Sequence, residues 1–156
     1  MHSPKWITKD ISMLYDANMW VAMLIDRHAH HERALSHFNG VIEGEHVLLL
    51  QSVRITVLRL LTQPSIHRVY ALEPITNTTA FDYLARITQS PKVRNLIEPA
   101  EIFVTWRDLA AHPHPAPNRW MDAYLCAIAR HAGVPIVTLD QGMLQYQRYG
   151  VDVRVL

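Results

Sequence analysis

Three of the 14 acidic residues stand where a folded sheet could bring them together. Asp16 follows the apolar run ISMLY, Asp140 follows PIVTL, and Asp122 lies near the start of a helical pattern, RWMDAYLCAIARHAG. The carboxyl ends of parallel strands share one edge of an open sheet, so Asp16 and Asp140 meet if their strands are neighbours. The helix with Asp122 leads into the PIVTL strand, and its start is therefore expected near the same edge.

Neighbouring carboxylates repel one another, and a divalent cation with oxygen ligands relieves that repulsion. Mg²⁺ suits such a site, with Mn²⁺ as the alternative, because it keeps several waters and accepts only a few carboxylates. Its waters supply a nucleophile, and its charge stabilises a phosphate in the transition state. The predicted chemistry is hydrolysis of a phosphodiester bond. Walker-type and dinucleotide-binding glycine motifs are absent from the sequence, which argues against nucleotide binding of those kinds.

Each acid also has a simpler explanation as part of a helix start. An aspartate between a strand and a helix is a favourable N-cap, because it accepts hydrogen bonds from backbone N–H groups. Asp16 can fill both roles if one carboxylate oxygen accepts a backbone hydrogen bond and the other faces an ion. For the helix with Asp122, Asn118 is better placed to act as the cap. The functional hypothesis therefore depends on the three acids together.

Composition indicates a single soluble globular domain. The chain has 156 residues, of which 49% are apolar and 19% are charged. No apolar stretch approaches the roughly 20 residues of a membrane helix, and the N-terminus lacks the apolar core of a signal peptide. The single cysteine, Cys126, excludes an intrachain disulfide and fits a reducing cytoplasm. A net charge of +1 permits a local nucleic-acid patch without requiring one.

Apolar strands alternate with helical patterns along the chain. Strands are predicted at 11–15, 46–51, 93–98, 134–140 and 151–156. Helices are predicted at 17–26, 30–40, 54–64, 76–90, 99–112, 119–133 and 141–149, with Thr76 as an N-cap and with Gly40 and Gly133 as helix ends. This alternation is typical of an α/β domain with a central, mostly parallel sheet flanked by helices on both faces. Residues 1–10 form a polar lead-in, and the domain spans 11–156.

Four stretches carry a resemblance to a known family: LYDANMWVAMLIDRHAHHERA, VLRLLTQP, NRWMDAYLCAIARHAG and IVTLDQGM. From about Met13 to Leu156 the chain resembles the PIN-domain family, in particular the VapC-type toxins of bacterial toxin–antitoxin pairs. The resemblance implies a PIN fold and a Mg²⁺-dependent endoribonuclease that acts on tRNA, rRNA or mRNA. It also implies a cognate VapB-like antitoxin that blocks the site, and a homodimer.

The resemblance implies roles for individual side chains. Three positions match the family's acidic metal ligands: Asp16, Asp122 and Asp140. Four polar positions near them are candidate substrate-binding residues: Asn18, Arg54, Asn118 and Arg119. In the implied mechanism Asp16 and Asp122 bind the metal directly, whereas Asp140 binds it through water or binds a second ion.

One position departs from the family pattern. The family usually has an acid at the start of the helix that contains VLRLLTQP, but Arg54 or Thr56 stands there in this chain. The nearest upstream acid, Glu45, precedes the short strand and is a poor substitute. Two interpretations stay open: an active ribonuclease with three acids, or a PIN-fold RNA- or protein-binding module with weak catalysis.

Other conspicuous side chains have simpler explanations. His28 and Glu32 have the spacing of a zinc pair, but a solvated helix start is favoured. Cys126 is predicted to be a buried structural thiol. Three tryptophans are expected in the core or at a dimer interface rather than as base-stacking platforms: Trp20, Trp106 and Trp120.

Overall fold

Five short strands form one parallel sheet in the computed structural model, which describes residues 12–156. In chain order they are β1 (Ser12–Tyr15), β2 (His46–Leu49), β3 (Val93–Asn95), β4 (Ile136–Thr138) and β5 (Val153–Val155). Their order across the sheet is β3-β2-β1-β4-β5, and each neighbouring pair is parallel. The first strand therefore lies at the centre, and the carboxyl ends of all five strands lie at one edge.

Helices connect and cover the strands. The α-helices within residues 12–156 are α1 (Ala17–Leu24), α2 (His31–Asn39), α3 (Gln51–Leu61), α4 (Pro64–Val69), α5 (Asn77–Thr88), α6 (Phe103–Ala110) and α7 (Arg119–Ala132). Two segments are 3-10 helices, Ala100–Ile102 and Gln141–Tyr149. Burial is almost continuous along β2 and β4, as a parallel sheet covered on both faces requires. The predicted α/β architecture is confirmed.

Most helix ends follow the predicted local signals. The Thr76 hydroxyl accepts a hydrogen bond of 3.2 Å from the Thr79 backbone N–H and caps α5. Gly133 ends α7 with a φ of 69°, a left-handed conformation that favours glycine. Asn118 occupies the expected N-cap position of α7, but it does not make the expected capping contact. Its backbone is helical and its side chain makes no capping hydrogen bond, so the first turn of α7 begins without a side-chain cap.

Two helical segments differ from the prediction. The helix predicted over 54–64 ends at Leu61, and Pro64, its predicted last residue, begins the separate short helix α4. Proline is tolerated there because the first residue of a helix needs no N–H partner. The segment predicted as a short helix over 141–149 forms a 3-10 helix instead.

The core contains some of the residues expected there but not others. Trp20 is fully buried and packs near Tyr15, with ring centroids 5.7 Å apart, and Cys126 is also fully buried. Trp106 is half-buried, whereas Trp120 is 61% exposed. Trp120 is therefore not part of the core, and its alternative placement at a dimer interface stays a prediction. It lies on the outer side of α7, where Trp106 donates a hydrogen bond of 2.9 Å to its carbonyl oxygen.

Within residues 12–156 we find no helix that is long and apolar enough to cross a bilayer. The predicted lead-in, 1–10, and the first domain residue, Ile11, lie outside the described residues, so the boundary between them stays a prediction.

Candidate active site

The pairing of β1 with β4 places two of the predicted acids at the same edge of the sheet. Leu14 pairs with Ile136 and Tyr15 pairs with Val137. One residue further along, the Asp16 backbone N–H donates a hydrogen bond of 3.0 Å to the Val137 carbonyl. Asp16 and Asp140 therefore leave adjacent strand ends, which is the arrangement that the sequence predicts if these strands are neighbours.

Both oxygens of the Asp16 carboxylate are held in place. Oδ1 accepts a hydrogen bond of 2.7 Å from the Ala17 N–H, which confirms the helix-cap role. Oδ2 accepts one of 2.8 Å from the Thr138 hydroxyl and one of 3.3 Å from the Asn18 amide. Burial raises the pKa of Asp16, the hydrogen bonds from Thr138 and Ala17 oppose the rise, and the charge of Asp140 adds to it. A cation at this carboxylate would relieve the cost of its burial.

Asn18 and Thr138 tie the ends of β1 and β4 together. The Asn18 amide donates to the Thr138 hydroxyl oxygen at 3.0 Å, and its carbonyl oxygen accepts from the Leu139 N–H at 3.1 Å. The same Thr138 oxygen accepts from the Asp140 N–H at 3.0 Å. The Asn18 side chain, a candidate for substrate binding, is thus engaged in positioning the acids.

Thr138 is a site residue that the sequence reasoning missed. It is fully buried inside an otherwise apolar strand. Threonine is common in strands, so its type alone gives no signal. A hydroxyl two residues before Asp140 was the available clue.

Asp140 is the most exposed of the three acids, and a backbone amide fixes its position. Its Oδ1 accepts a hydrogen bond of 2.8 Å from the Gly142 N–H, so it caps the 3-10 segment that follows. A Cβ added at Gly142 would stand 3.0 Å from that same oxygen. The glycine therefore leaves room for the carboxylate to fold back over the turn.

Asp122 completes the acidic group from the first turn of α7. Burial raises its pKa to about 6, with further upward contributions from Asp16 and Asp140 and an opposing one from Arg119. These mutual effects show that the three acids interact electrostatically. In residues 12–156, however, no three His, Cys, Asp or Glu side chains are grouped closely enough to hold one ion among them.

The donor set fits a hard cation better than a soft one. All three candidate ligands offer carboxylate oxygens, and their repulsion and burial favour a positive partner. Mg²⁺ is commonly bound by one or two carboxylates and completes its shell with water and substrate phosphate. Two of the acids therefore suffice for such an ion, without a closed cage of three.

Arg119, at the start of α7, is a buried cation beside this group. It is 7% exposed, and its Nη1 donates a hydrogen bond of 2.6 Å to Oε1 of Gln145. Its guanidinium lies over the Tyr146 ring, 5.0 Å from the centroid. Arg119 lines a cavity of about 280 Å³ beside Asp122, and the exposed side chain of Asn118, one residue earlier, lines the same cavity.

Glu98 supplies an acid at the start of α3, which the sequence reasoning did not find there. One of its oxygens accepts a hydrogen bond of 2.7 Å from the Ser52 N–H, and the other accepts from the Tyr124 hydroxyl of α7. Burial raises the pKa of Glu98, but these hydrogen bonds outweigh it and hold the pKa below its ordinary value. The acid comes from the segment after β3 and not from α3 itself, so the spacing within VLRLLTQP gave no signal.

Arg54, which stands where the family has its acid, contacts a neighbouring strand end. Its Nη2 donates a hydrogen bond to Oδ1 of Asn95, the last residue of β3. Both side chains line a cleft of about 540 Å³ at the carboxyl ends of β2 and β3, together with Gln51 and Glu98. The cleft lies at the same edge of the sheet as Asp16.

Comparisons with known proteins identify the family and the fold of this chain. The sequence pattern of the PIN domain matches residues 13–149. Ribonuclease VapC41 of Mycobacterium tuberculosis is 32% identical over 145 residues, which cover 92% of this chain and 98% of that protein.

Two solved structures share the fold. VapC20 of Mycobacterium tuberculosis, described as a toxin that cleaves the sarcin–ricin loop, has a TM-score of 0.62 and 22% identity over 91% of this chain and 98% of its own. VapBC-1 of nontypeable Haemophilus influenzae has a TM-score of 0.63 and 9% identity over 93% and 98% of the two chains. With the match over residues 13–149 and the 32% identity to VapC41, this chain belongs to the PIN-domain family, among the VapC ribonucleases.

Proposed function

We propose that this protein is a metal-dependent endoribonuclease toxin that hydrolyses RNA phosphodiester bonds in the cytoplasm. The observation that carries the proposal is the hydrogen bond from Thr138 to Asp16, which fixes a buried carboxylate beside Asp140 and Asp122. An ionised carboxylate is costly to bury, and a cation bound at Asp16 would offset that cost.

Asp16 and Asp122 are the residues that would hold Mg²⁺, or Mn²⁺, with Asp140 contributing through water or to a second ion. When bound, the cation supplies an activated water and a positive charge for the scissile phosphate. The chain's own residues set the geometry. Thr138 and Asn18 hold the Asp16 carboxylate, and the Gly142 amide holds Asp140.

The polar residues around the acids provide for RNA binding. Arg119 and Asn118 line the cavity beside Asp122, and Arg54 lines the cleft at the ends of β2 and β3. Arginine binds phosphate well, because its planar group donates two parallel hydrogen bonds. We assign RNA contacts to these three residues and a positioning role to Asn18.

The relatives suggest the remaining partners. VapBC-1 is the name of a toxin–antitoxin pair, so a cognate VapB-like antitoxin is proposed to neutralise this chain. A homodimer is part of the same proposal, and its surface would have to cover exposed apolar residues such as Ile55 and Phe81, which border one groove between α3 and α5.

The second candidate function is a PIN-fold module that binds RNA or protein without efficient cleavage. It is favoured by Arg54 in the place of an acid and by the absence, within residues 12–156, of a ready-made three-acid ligand group. Glu98 weakens this alternative, because it brings a carboxylate to the start of α3.

One experiment separates the two candidates. The purified chain is incubated with total RNA in Mg²⁺ and, in parallel, in EDTA. We expect cleavage in Mg²⁺ only, and at least a 100-fold loss in Asp16→Asn, which removes charge but retains the shape of the side chain. The exposed acid Asp82 of α5 provides the matched control, Asp82→Asn, which should cleave like the unmodified chain. RNA binding without cleavage in Mg²⁺ would identify the binding module instead.

A further inference from the structure

A cavity of about 280 Å³ opens beside Asp122. Its walls are the loop before α7, the first turn of α7 and the 3-10 segment Gln141–Tyr149. The side chains that line it are mostly polar: His112, Asn118, Arg119, Asp122, Gln145 and Tyr146. We call it the Arg119 pocket. It joins the acidic group directly, because Asp122 belongs to both.

Two buried side chains in this pocket have donor atoms without a hydrogen-bond partner among the described residues. The atoms are Nε and Nη2 of Arg119 and the hydroxyl of Tyr146. Arg119 is 7% exposed and Tyr146 is fully buried. Buried donors are nearly always paired in folded proteins, since leaving them unpaired is costly. Two such groups on one cavity indicate a ligand that accepts hydrogen bonds.

The fixed orientation of Arg119 narrows the chemistry of that ligand. Gln145 holds Nη1, and the Tyr146 ring supports the guanidinium at 5.0 Å, so Nε and Nη2 are left as the free donors. A phosphate offers several oxygens in an arrangement that such a pair of donors can bind together. The Tyr146 hydroxyl can donate to a further oxygen.

We propose that the Arg119 pocket is a phosphate subsite that holds the phosphate of an RNA nucleotide next to the scissile bond. The inference rests on the proposed function, since it takes RNA as the substrate of the adjacent acids. The negative charge of Asp122 opposes an anion in the pocket, and a cation held by that carboxylate would remove the opposition. RNA is favoured over an acidic protein segment because the pocket adjoins the residues assigned to phosphodiester hydrolysis.

The chain contains a matched control for this site. Arg148 and Tyr149 form a second arginine–tyrosine pair on the same 3-10 segment, with the guanidinium 4.8 Å from the ring centroid. Arg148 is exposed to solvent and donates a hydrogen bond of 2.8 Å to the Tyr149 hydroxyl. Unlike the pair of Arg119 and Tyr146, this pair of described residues therefore has no buried donor that lacks a partner. Substitutions of Arg148 and Tyr149 therefore remove the same chemical groups as substitutions of Arg119 and Tyr146, but at a position outside the pocket.

The test measures RNA binding without turnover. A fluorescent single-stranded RNA is titrated with the full chain carrying Asp122→Asn, in EDTA, at several salt concentrations. The Asp122→Asn change removes the repelling charge on the pocket wall. In this background Arg119→Gln should weaken binding about 10- to 100-fold. It should also make the slope of log K against log salt shallower by about 0.7, the value for one phosphate contact on a single strand.

Tyr146→Phe keeps the ring under Arg119 and removes only the hydroxyl, so it should weaken binding about 2- to 10-fold. Arg148→Gln and Tyr149→Phe should stay within about twofold of the background, as expected of exposed surface contacts. Circular dichroism and thermal unfolding report whether each variant is folded. If Arg119→Gln fails to fold, the RNA affinity of Tyr146→Phe alone decides between the phosphate subsite and its absence.

The proposal is overturned if Tyr146→Phe binds RNA with unchanged affinity and folded Arg119→Gln shows an unchanged salt slope. The pocket would then be a site for water or for a protein carboxylate. The cleavage assay is read separately. Cleavage in Mg²⁺ with unchanged binding in these variants rejects only the phosphate subsite. Altered binding without any cleavage rejects only the enzymatic function.

Discussion

The Thr138 hydroxyl donates a hydrogen bond of 2.8 Å to Oδ2 of Asp16, joining residues 122 positions apart in the chain. The oxygen of the same hydroxyl accepts from the Asp140 backbone N–H at 3.0 Å. One buried side chain thus sets the positions of two acids that leave neighbouring strands. The acidic group depends on this contact as much as on the acids themselves.

Removing the hydroxyl at position 138 should impair cleavage more than folding. Thr138→Val keeps the shape of the side chain but removes the 2.8 Å hydrogen bond to Oδ2 of Asp16 and leaves the Asp140 N–H without its partner. We expect a 10- to 100-fold lower cleavage rate and a loss of about 1–3 kcal/mol of unfolding free energy. RNA cleavage and urea unfolding measure the two effects. Thr138→Ser retains the hydroxyl and should recover most of the activity; equal rates for the valine and serine variants would contradict the positioning role.

Asp122 should destabilise the metal-free protein at neutral pH. Its pKa lies at about 6 in the folded protein against an ordinary 3.8, so the folded state holds the proton more tightly than the unfolded state does. The contribution of Asp122 to stability is therefore fully present below about pH 4 and is lost as the pH rises through about 6. Asp122→Asn should remove this loss and raise the unfolding free energy at pH 8 by about 1–3 kcal/mol.

The measurement is urea unfolding in EDTA at pH 4 and pH 8 for both chains. The gain from Asp122→Asn should shrink towards the lower pH, where the carboxyl of the unmodified chain is protonated. A variant that is less stable than the unmodified chain at pH 8 would contradict the predicted cost of burying this charged carboxylate beside Asp16 and Asp140.

A divalent cation should stabilise the folded chain through the same acids. Binding to the folded state alone adds about 2.7 kcal/mol when the free ion is at 100 times its Kd. Thermal unfolding in Mg²⁺ or Mn²⁺ should show this gain, and NaCl at equal ionic strength should not. The gain should be lost in Asp16→Asn and retained in Asp82→Asn. An equal rise in all three chains would indicate non-specific binding.

Two glycines of the C-terminal region should separate activity from stability. At Gly142 an added Cβ would crowd Oδ1 of Asp140 at 3.0 Å, so Gly142→Ala should lower cleavage about tenfold through the misplaced carboxylate. At Gly150 the space is open but φ is +80°, so Gly150→Ala should cost about 1–2 kcal/mol of stability and leave cleavage unchanged. Cleavage rates and urea unfolding of both variants test this; the same effect on both quantities at both positions would contradict it.

Much of the fold could be predicted from the sequence because apolar strands and helices alternate regularly. The placement of Asp16 and Asp140 at strand ends followed from that plan, since parallel strands share one edge. The neighbouring position of β1 and β4 could not be derived, because no local pattern states which strands pair across such a separation. The prediction depended on that condition, and the register of Leu14 with Ile136 fulfils it.

The parts of the site that sequence reasoning missed depend on contacts between distant segments. Glu98 reaches the start of α3 across 46 positions and Tyr124 across 26, so its role is invisible in any single stretch. Arginine is usually found at the protein surface, so nothing in the sequence indicates that Arg119 is buried. Its burial follows from the packing of α7 against the 3-10 segment Gln141–Tyr149. Asn18 was predicted to bind substrate, which stays a prediction; its hydrogen bond to Thr138 of β4 could not be foreseen from the sequence around it.

The central position of β1 has a consequence for how the protein is made. Asp16 is synthesised well before Thr138, which follows it by 122 positions, and before Asp140. A nascent chain still attached to its ribosome carries the first acid without the residues that hold it. The acidic group therefore cannot assemble until Thr138 and Asp140 have been synthesised and can pair with Asp16 and its neighbours.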